Sequence, residues 1–198
     1  MMTKMTRQIK LYYYLIHTEY HSPEELMQVF GYTNISMIQR DLKDLRDSGL
    51  ITDVRYDKKE KNYIINEEYT DILSGIPTRR LEHLTRLRRL GIIVREFEPT
   101  DEGELSRYED DLFGYKEDME DYKADPEGYI DYYGEKPVPP EPMDFFKAKD
   151  EYYKRFPDSN ERTRQRDFKA LCEAGYIIEY RRDLKEFIIT DELMPEEY

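Results

Sequence analysis

The chain has 198 residues and carries 31 basic and 44 acidic side chains, a net charge of −13. That length suits one or two small domains, and the charge balance excludes a body coated all over in basic groups. The acidity is local: residues 101–145 hold 16 acidic and 4 basic side chains, while residues 76–100 hold 3 acidic and 6 basic ones.

No run approaches the ~18 apolar residues of a membrane span. The N-terminus lacks the apolar stretch and cleavage site of a secretory signal, so a cytoplasmic location is expected. Cys172 is the only cysteine, which excludes an internal disulfide and a cysteine-based zinc site. His17 and His21 stand four apart, but no neighbouring residue completes a metal site. There is no glycine-rich phosphate loop, and no carboxylate is paired with a nucleophile and an oxyanion pocket. No enzyme activity, catalytic residue, metal, cofactor, small-molecule ligand or membrane partner is therefore expected.

Residues 7–19 predict a first helix, with Ile9, Leu11, Tyr12, Tyr13, Leu15 and Ile16 on one broad apolar face. Ser22-Pro23-Glu24-Glu25 predicts an N-cap, a proline at the first helical position and a capping box. This second helix buries Leu26, Met27, Val29 and Phe30 and stops at Gly31. Asn34 or Thr33 caps a third helix, with Ile35, Ile38, Leu42 and Leu45 spaced 3, 4 and 3 apart and Gly49 ending it. A strand over 50–56, a charged turn over 57–61 and a return strand over 62–66 follow. Three helices and a hairpin in this order are those of a winged helix-turn-helix. In that geometry the third helix enters the DNA major groove and the hairpin tip touches phosphate.

The stretch Asn34-Ile35-Ser36-Met37-Ile38-Gln39-Arg40-Asp41-Leu42-Lys43-Asp44-Leu45 and its continuation to Ile51 resembles the recognition helix of DeoR-like winged helix-turn-helix regulators. It is most similar to the version at the start of bacterial WYL-domain transcriptional regulators, here without a WYL domain. The family usually has serine, basic residues and threonine before its Ile-x-Arg-Asp-Leu core. Ile35, Ser36 and Met37 stand there in this chain, so the groove-facing half is less basic. The resemblance implies DNA contacts from Thr33, Asn34, Ser36, Met37, Gln39, Arg40 and Lys43 on the helix. The hairpin tip would add Lys58, Lys59 and Lys61.

The chain also repeats itself. At a shift of 126, Phe30, Asn34, Gln39, Arg40, Asp41, Lys43, Leu45, Gly49 and Ile51 fall on identical residues, 9 in 22 positions. A second hairpin follows, with strands over 177–182 and 187–190. The second recognition helix is the more basic reader: Asn160, Arg162, Thr163, Arg164, Gln165, Arg166 and Lys169 are its expected DNA contacts, with Arg182 and Lys185 on the wing. Arginine forks read guanine and glutamine reads adenine. Asp41 and Asp167 are expected to be structural, while Arg40 and Arg166 suit either a helix-locking or a DNA-contacting role. Cys172 occupies the position of Arg46.

The first helix of the second copy is read over 78–94, with Leu81, Leu84, Leu87 and Leu90 on one side. A rival reading takes Leu84–Ile93 as the end of another recognition helix, but it leaves the second copy without a first helix. Arg79, Arg80, Arg86, Arg88 and Arg89 would be solvated, pair with the acidic block, or touch DNA backbone.

The expected architecture is thus mainly α with small β-hairpin wings. A first module spans 1–72 and a second spans 73–198, the latter carrying an acidic helical insertion over about 96–145. Within it, Leu105, Tyr108, Leu112, Tyr115, Met119 and Tyr122 recur at alternating spacings of 3 and 4, a heptad-like seam. The seam predicts an ordered helix over 103–123 that packs on the second module or on a second chain, followed by a Pro- and Gly-rich loop over 125–142. The leading expectation is a transcriptional regulator bound to double-stranded DNA, as a homodimer. The alternative is a winged-helix protein-interaction module, an acidic DNA mimic or adaptor that does not itself bind DNA.

Overall fold

The computed structural model describes residues 2–19, 21–66, 68–72 and 74–191; the end of the expected second module, 192–198, lies outside them. The described chain is mainly helical, with two antiparallel two-stranded hairpins.

Local chemistry sets the first elements. Helix α1 (Lys4–His17) begins at Thr3, whose hydroxyl accepts the Thr6 amide. This cap starts the helix three residues before the expected 7–19. Thr18 ends it in an extended conformation, with its amide and hydroxyl both on the Tyr14 carbonyl. Helix α2 (Pro23–Phe30) is capped by Ser22, whose Oγ accepts the Glu25 amide, and is stopped by Gly31 in the left-handed region. The Glu25 carboxylate accepts from the Tyr14 hydroxyl at 2.5 Å, tying α2 to α1. Helix α3 (Ile35–Asp47) is capped by Asn34 through the Met37 amide. After it, Gly49 takes φ +76°, and a Cβ there would collide with the Thr70 carbonyl. Strands β1 (Asp53–Asp57) and β2 (Asn62–Asn66) form the first hairpin. The expected start of β1 at Leu50 is too early, because Leu50 and Ile51 are fully buried in the core instead.

Helix α4 (Thr78–Glu96) runs unbroken through Gly91. Gly91 faces Leu50, and a Cβ would collide with that side chain. The rival reading required Gly91 to end a helix, as Gly49 does; here it sits inside one. Helix α5 (Glu102–Ala124) covers the expected 103–123 and is capped by Asp101. The expected loop over 125–142 is half wrong: its first part is helix α6 (Pro126–Tyr133). Asp125 caps α6, Pro126 stands in its first turn and Gly134 closes it in the left-handed region. Helices α7 (Ala148–Arg155) and α8 (Glu161–Ala174) follow, then β3 (Ile177–Arg181) and β4 (Glu186–Asp191).

The two hairpins are alike in register from their tips to the Val54–Ile65 and Ile178–Ile189 pairs, beyond which the second slips between Ile177 and Ile178. Tyr56 pairs with Tyr63 in one, and Tyr180 with Phe187 in the other. Each has a four-residue turn ending in a lysine with positive φ, Lys61 and Lys185. The hairpins therefore correspond at a shift of 124, not 126. The Ile51–Ile177 identity does not survive this: Ile51 is buried, while Ile177 is 48% exposed on a strand.

The described chain forms two compact units, one of residues 1–98 with 147–198 and one of residues 99–146. The chain does not part at 72/73 into two independent modules, because the two copies share one core. Helix α1 packs on α4, the two first helices together; α1 also packs on α8, and α4 on α3. The two helices expected to come first in their copies, α1 and α4, thus lie on α8 and α3 respectively. Ile9, Leu11, Tyr12 and Leu15 meet a core that includes Leu42, Leu45, Leu84, Leu87, Leu90, Ile93 and Leu171, all nearly inaccessible to solvent. Burying side chains of this size contributes about 1.5–3 kcal/mol each. In the smaller unit α5 packs on α6, and Tyr129 fits between Tyr122 and Tyr133.

Candidate nucleic-acid interface

Each third helix is held by a buried carboxylate. Asp41 accepts from Arg7 Nε at 2.7 Å, Gln8 Nε2 at 2.9 Å and the Tyr32 hydroxyl at 2.9 Å. Asp167 accepts from Arg86 Nε at 3.1 Å, Arg89 Nε at 2.9 Å and the Tyr152 hydroxyl at 2.9 Å. Both are 1% exposed, so their charge is stable only because it is paired and hydrogen-bonded on several sides. The structural role expected for these two aspartates is what the geometry shows. Burial and the adjacent Asp167 charge, against a hydrogen bond from Ser159, push the Tyr152 phenol up to about 12, so it stays a donor at neutral pH.

Of the six α4 arginines, Arg80, Arg86, Arg88 and Arg89 are committed inside the larger unit. Arg80 pairs with Asp44 at 3.2 Å and with Asp47. Arg88 donates to the Ser48 and Thr70 carbonyls. Arg86 and Arg89 hold Asp167. None of the three destinations expected for them describes this arrangement: they join α4 to the third helices of both copies. Asp44 and Asp47 show the electrostatic result. Burial would raise their carboxyls, but Lys4, Gln8 and Arg80 on Asp44, and Lys43 and Arg80 on Asp47, outweigh it and hold both below the usual range. Arg79 is exposed and has no ion-pair partner among the described residues.

On α8 the expected contacts divide. Arg162, Gln165, Arg166 and Lys169 are exposed, as is the cap Asn160, and Thr163 is half-buried. Arg162 and Arg166 have no ion-pair partner among the described residues, whereas Lys169 lies 3.9 Å from Glu173. The Gln165 amide donates to Glu161 at 3.0 Å. Arg164 is a correction. It is 2% exposed, bound to Glu161, with its guanidinium 5.0 Å from the Phe168 ring centre and 4.4 Å from that of Phe187. A side chain locked between α8 and β4 has no reach to a base edge. The exposed Glu161 carboxyl is held down to about 2 by Arg164 and Tyr153.

On α3, Asn34, Ser36, Gln39, Arg40 and Lys43 are exposed, with Met37 half-buried. Lys43 is tied to Asp47 at 2.7 Å, and the Thr33 hydroxyl donates to Met37 Sδ at 3.2 Å. Lys58, Lys59 and Lys61 are exposed at the first hairpin tip, Lys59 being 3.5 Å from Glu60. At the second tip, Arg182 and Lys185 are exposed, while Arg181 binds Asp183 at 2.9 Å. Both third helices thus carry exposed polar side chains; among the described residues α8 carries two arginines without an ion-pair partner, Arg162 and Arg166, and α3 carries one, Arg40.

In the smaller unit, Leu105, Tyr108, Leu112, Tyr115, Met119 and Tyr122 all lie half-buried on α5, and no α5 residue is fully buried. Phe113, Tyr132, Tyr133 and Val138 are well exposed.

Sequence reasoning missed Tyr32 and Tyr152 as partners of the buried aspartates, and Arg80, Arg86 and Arg89 as the ties from α4. Their partners lie from 9 to 81 residues away, so no local pattern carries them. No helix among the described residues is long and apolar enough to cross a membrane. No family model, curated protein or solved structure matches the chain.

Proposed function

We propose that this chain is a sequence-specific DNA-binding regulator with two winged helix-turn-helix copies, read chiefly through α8. The observation that carries this is the exposed pair Arg162 and Arg166, four apart on one face of a third helix that Asp167 holds in place. Unpaired guanidiniums on a rigid helix suit DNA: Arg162, nearer the helix N-terminus, suits bidentate contact with a guanine edge in the major groove, and Arg166, a turn further on, suits phosphate. Lysines and arginine at the hairpin tips suit phosphate, which positions a protein without specifying sequence. The larger unit holds 27 basic and 28 acidic residues of the sequence, so the −13 lies almost wholly in residues 99–146.

Both copies share one core, so a single chain carries the pair of readers that a homodimer would otherwise supply. A homodimer through the α5 seam would set two units of net charge −12 side by side. That seam therefore suits a less acidic surface. Gel retardation of the chain's own promoter region at low and moderate salt tests the proposal. Retardation is expected, and no retardation of any fragment, specific or random, would sink it.

One observation favours a second reading. The smaller unit combines its acidity with exposed Phe113, Tyr132 and Tyr133, a surface suited to a basic protein partner. In that reading the chain is an adaptor or DNA mimic and binds no DNA.

A further inference from the structure

An open cleft of about 770 Å³ runs between α4 and α8 in the larger unit. Its charged lining is Arg79, Arg86, Arg89 and Arg166 against Glu82 and Asp167. Four guanidiniums thus face two carboxylates. Two of them, Arg86 and Arg89, share the single Asp167 charge, and Arg79 and Arg166 have no ion-pair partner among the described residues. The first copy shows no such excess at its buried carboxylate: among the described residues, Arg7 is the only guanidinium on Asp41. His83, also in the cleft, is held below its usual range by burial and by Lys4, against the pull of Asp44 and Asp41. It adds no charge at neutral pH. Thr78 on α4 and Thr163 on α8 also line the cleft.

An acidic protein has kept a positive concavity here, and two of its charges come from opposite walls, Arg79 on α4 and Arg166 on α8. Planar arginine forks match phosphate oxygens in pairs. We infer that the cleft between α4 and α8 is a phosphate-binding site, with Arg79 and Arg166 as the two ligands that close on the anion. The phosphate is supplied either by the DNA backbone beside the groove that α8 reads, or by a free phosphorylated molecule. Only the first source rests on the DNA reading proposed above.

Arg79→Ala is the informative variant, because Arg79 is exposed and its side chain has no hydrogen bond or ion pair among the described residues. In the DNA arm, fluorescence anisotropy follows a duplex retarded by the wild type, and a random duplex, across a series of KCl concentrations. Arg79→Ala is expected to weaken both duplexes by the same factor and to lower the salt slope by about 1, with Arg79→Lys restoring the slope. In the second arm, calorimetry titrates inorganic phosphate and pyrophosphate into the DNA-free protein. Saturable heat that Arg79→Ala abolishes, with an unchanged DNA slope, assigns the site to a free phosphorylated molecule. An unchanged DNA slope together with no anion binding overturns the site while leaving the DNA reading intact. If the wild type binds no duplex at all, the DNA reading fails and the calorimetric arm alone decides the site.

Discussion

The Tyr152 hydroxyl donates to Asp167 Oδ2 across 2.9 Å, joining the short helix α7 to the third helix α8. The first copy makes the same bond, Tyr32 to Asp41 at 2.9 Å, but its tyrosine comes from the segment after α2. The two copies thus reach one solution from different chain positions, and the carboxylate is what they hold in common. Removing it strands two guanidiniums on α4. Asp167→Ala is expected to cost about 3–5 kcal/mol, whereas Tyr152→Phe removes one charge-assisted bond, about 1.5–3 kcal/mol. Urea unfolding followed by far-ultraviolet circular dichroism at neutral pH checks both, and equal small effects would contradict the anchoring role.

Arg164 and Arg162 separate stability from recognition. Arg164 is packed between two aromatic rings and loses about 2 kcal/mol of cation–π stabilisation when truncated, besides its buried methylene stem. Arg164→Ala is expected to lower the unfolding midpoint. Arg162→Ala is expected to leave stability within about 0.5 kcal/mol. The same urea titration measures both, and a reversed order would place Arg164 on the surface.

Acid should loosen the joint between α4 and α3. Asp44 and Asp47 titrate below their ordinary value of about 3.9, because Lys4, Lys43 and Arg80 outweigh burial. A carboxyl depressed in the folded state contributes stability that is fully present above its unfolded value. That stability is lost as pH falls from there through the folded value. The urea midpoint is therefore expected to drop below about pH 4. The variant Asp44→Asn with Asp47→Asn should start lower at pH 7 and show a shallower drop. An equally steep drop would assign the acid sensitivity to other groups.

Removing residues 101–145 takes away 16 acidic and 4 basic side chains. On the DNA reading, the trimmed chain is expected to bind duplex more tightly, and the gain should shrink as salt rises, because it is electrostatic. On the adaptor reading it binds no duplex with or without the segment. Anisotropy on a random duplex at two salt concentrations distinguishes these.

Much of the fold was legible because its signals are local. Ser22-Pro23 and Asn34 cap the helices they were expected to cap, since a cap is a contact within four residues. The 3-and-4 spacing from Leu105 to Tyr122 gave α5 for the same reason. Helix α6 carried an equally local signal in Asp125-Pro126 and Gly134, but the surrounding prolines and glycines disguised it as a loop. Arg164 was also within reach. It stands four before Phe168 and seven before Leu171, on the apolar stripe of its own helix, and its charge hid that register. The destinations of Arg80, Arg86, Arg88 and Arg89 were not legible, because they depend on how α4 crosses helices distant in sequence. Nor was the shared core, since each copy reads as complete up to its own hairpin.

The central claim is that α8 is the principal DNA reader, and one measurement tests it most directly. Duplexes selected from a random pool by the wild-type chain are titrated against Arg162→Ala on α8 and against Met37→Ala on α3, at one fixed salt concentration. The account predicts an enriched motif, with Arg162→Ala weakening its binding by about 1–3 kcal/mol and Met37→Ala weakening it less. No enrichment by the wild type, or a larger loss from Met37→Ala, would contradict it.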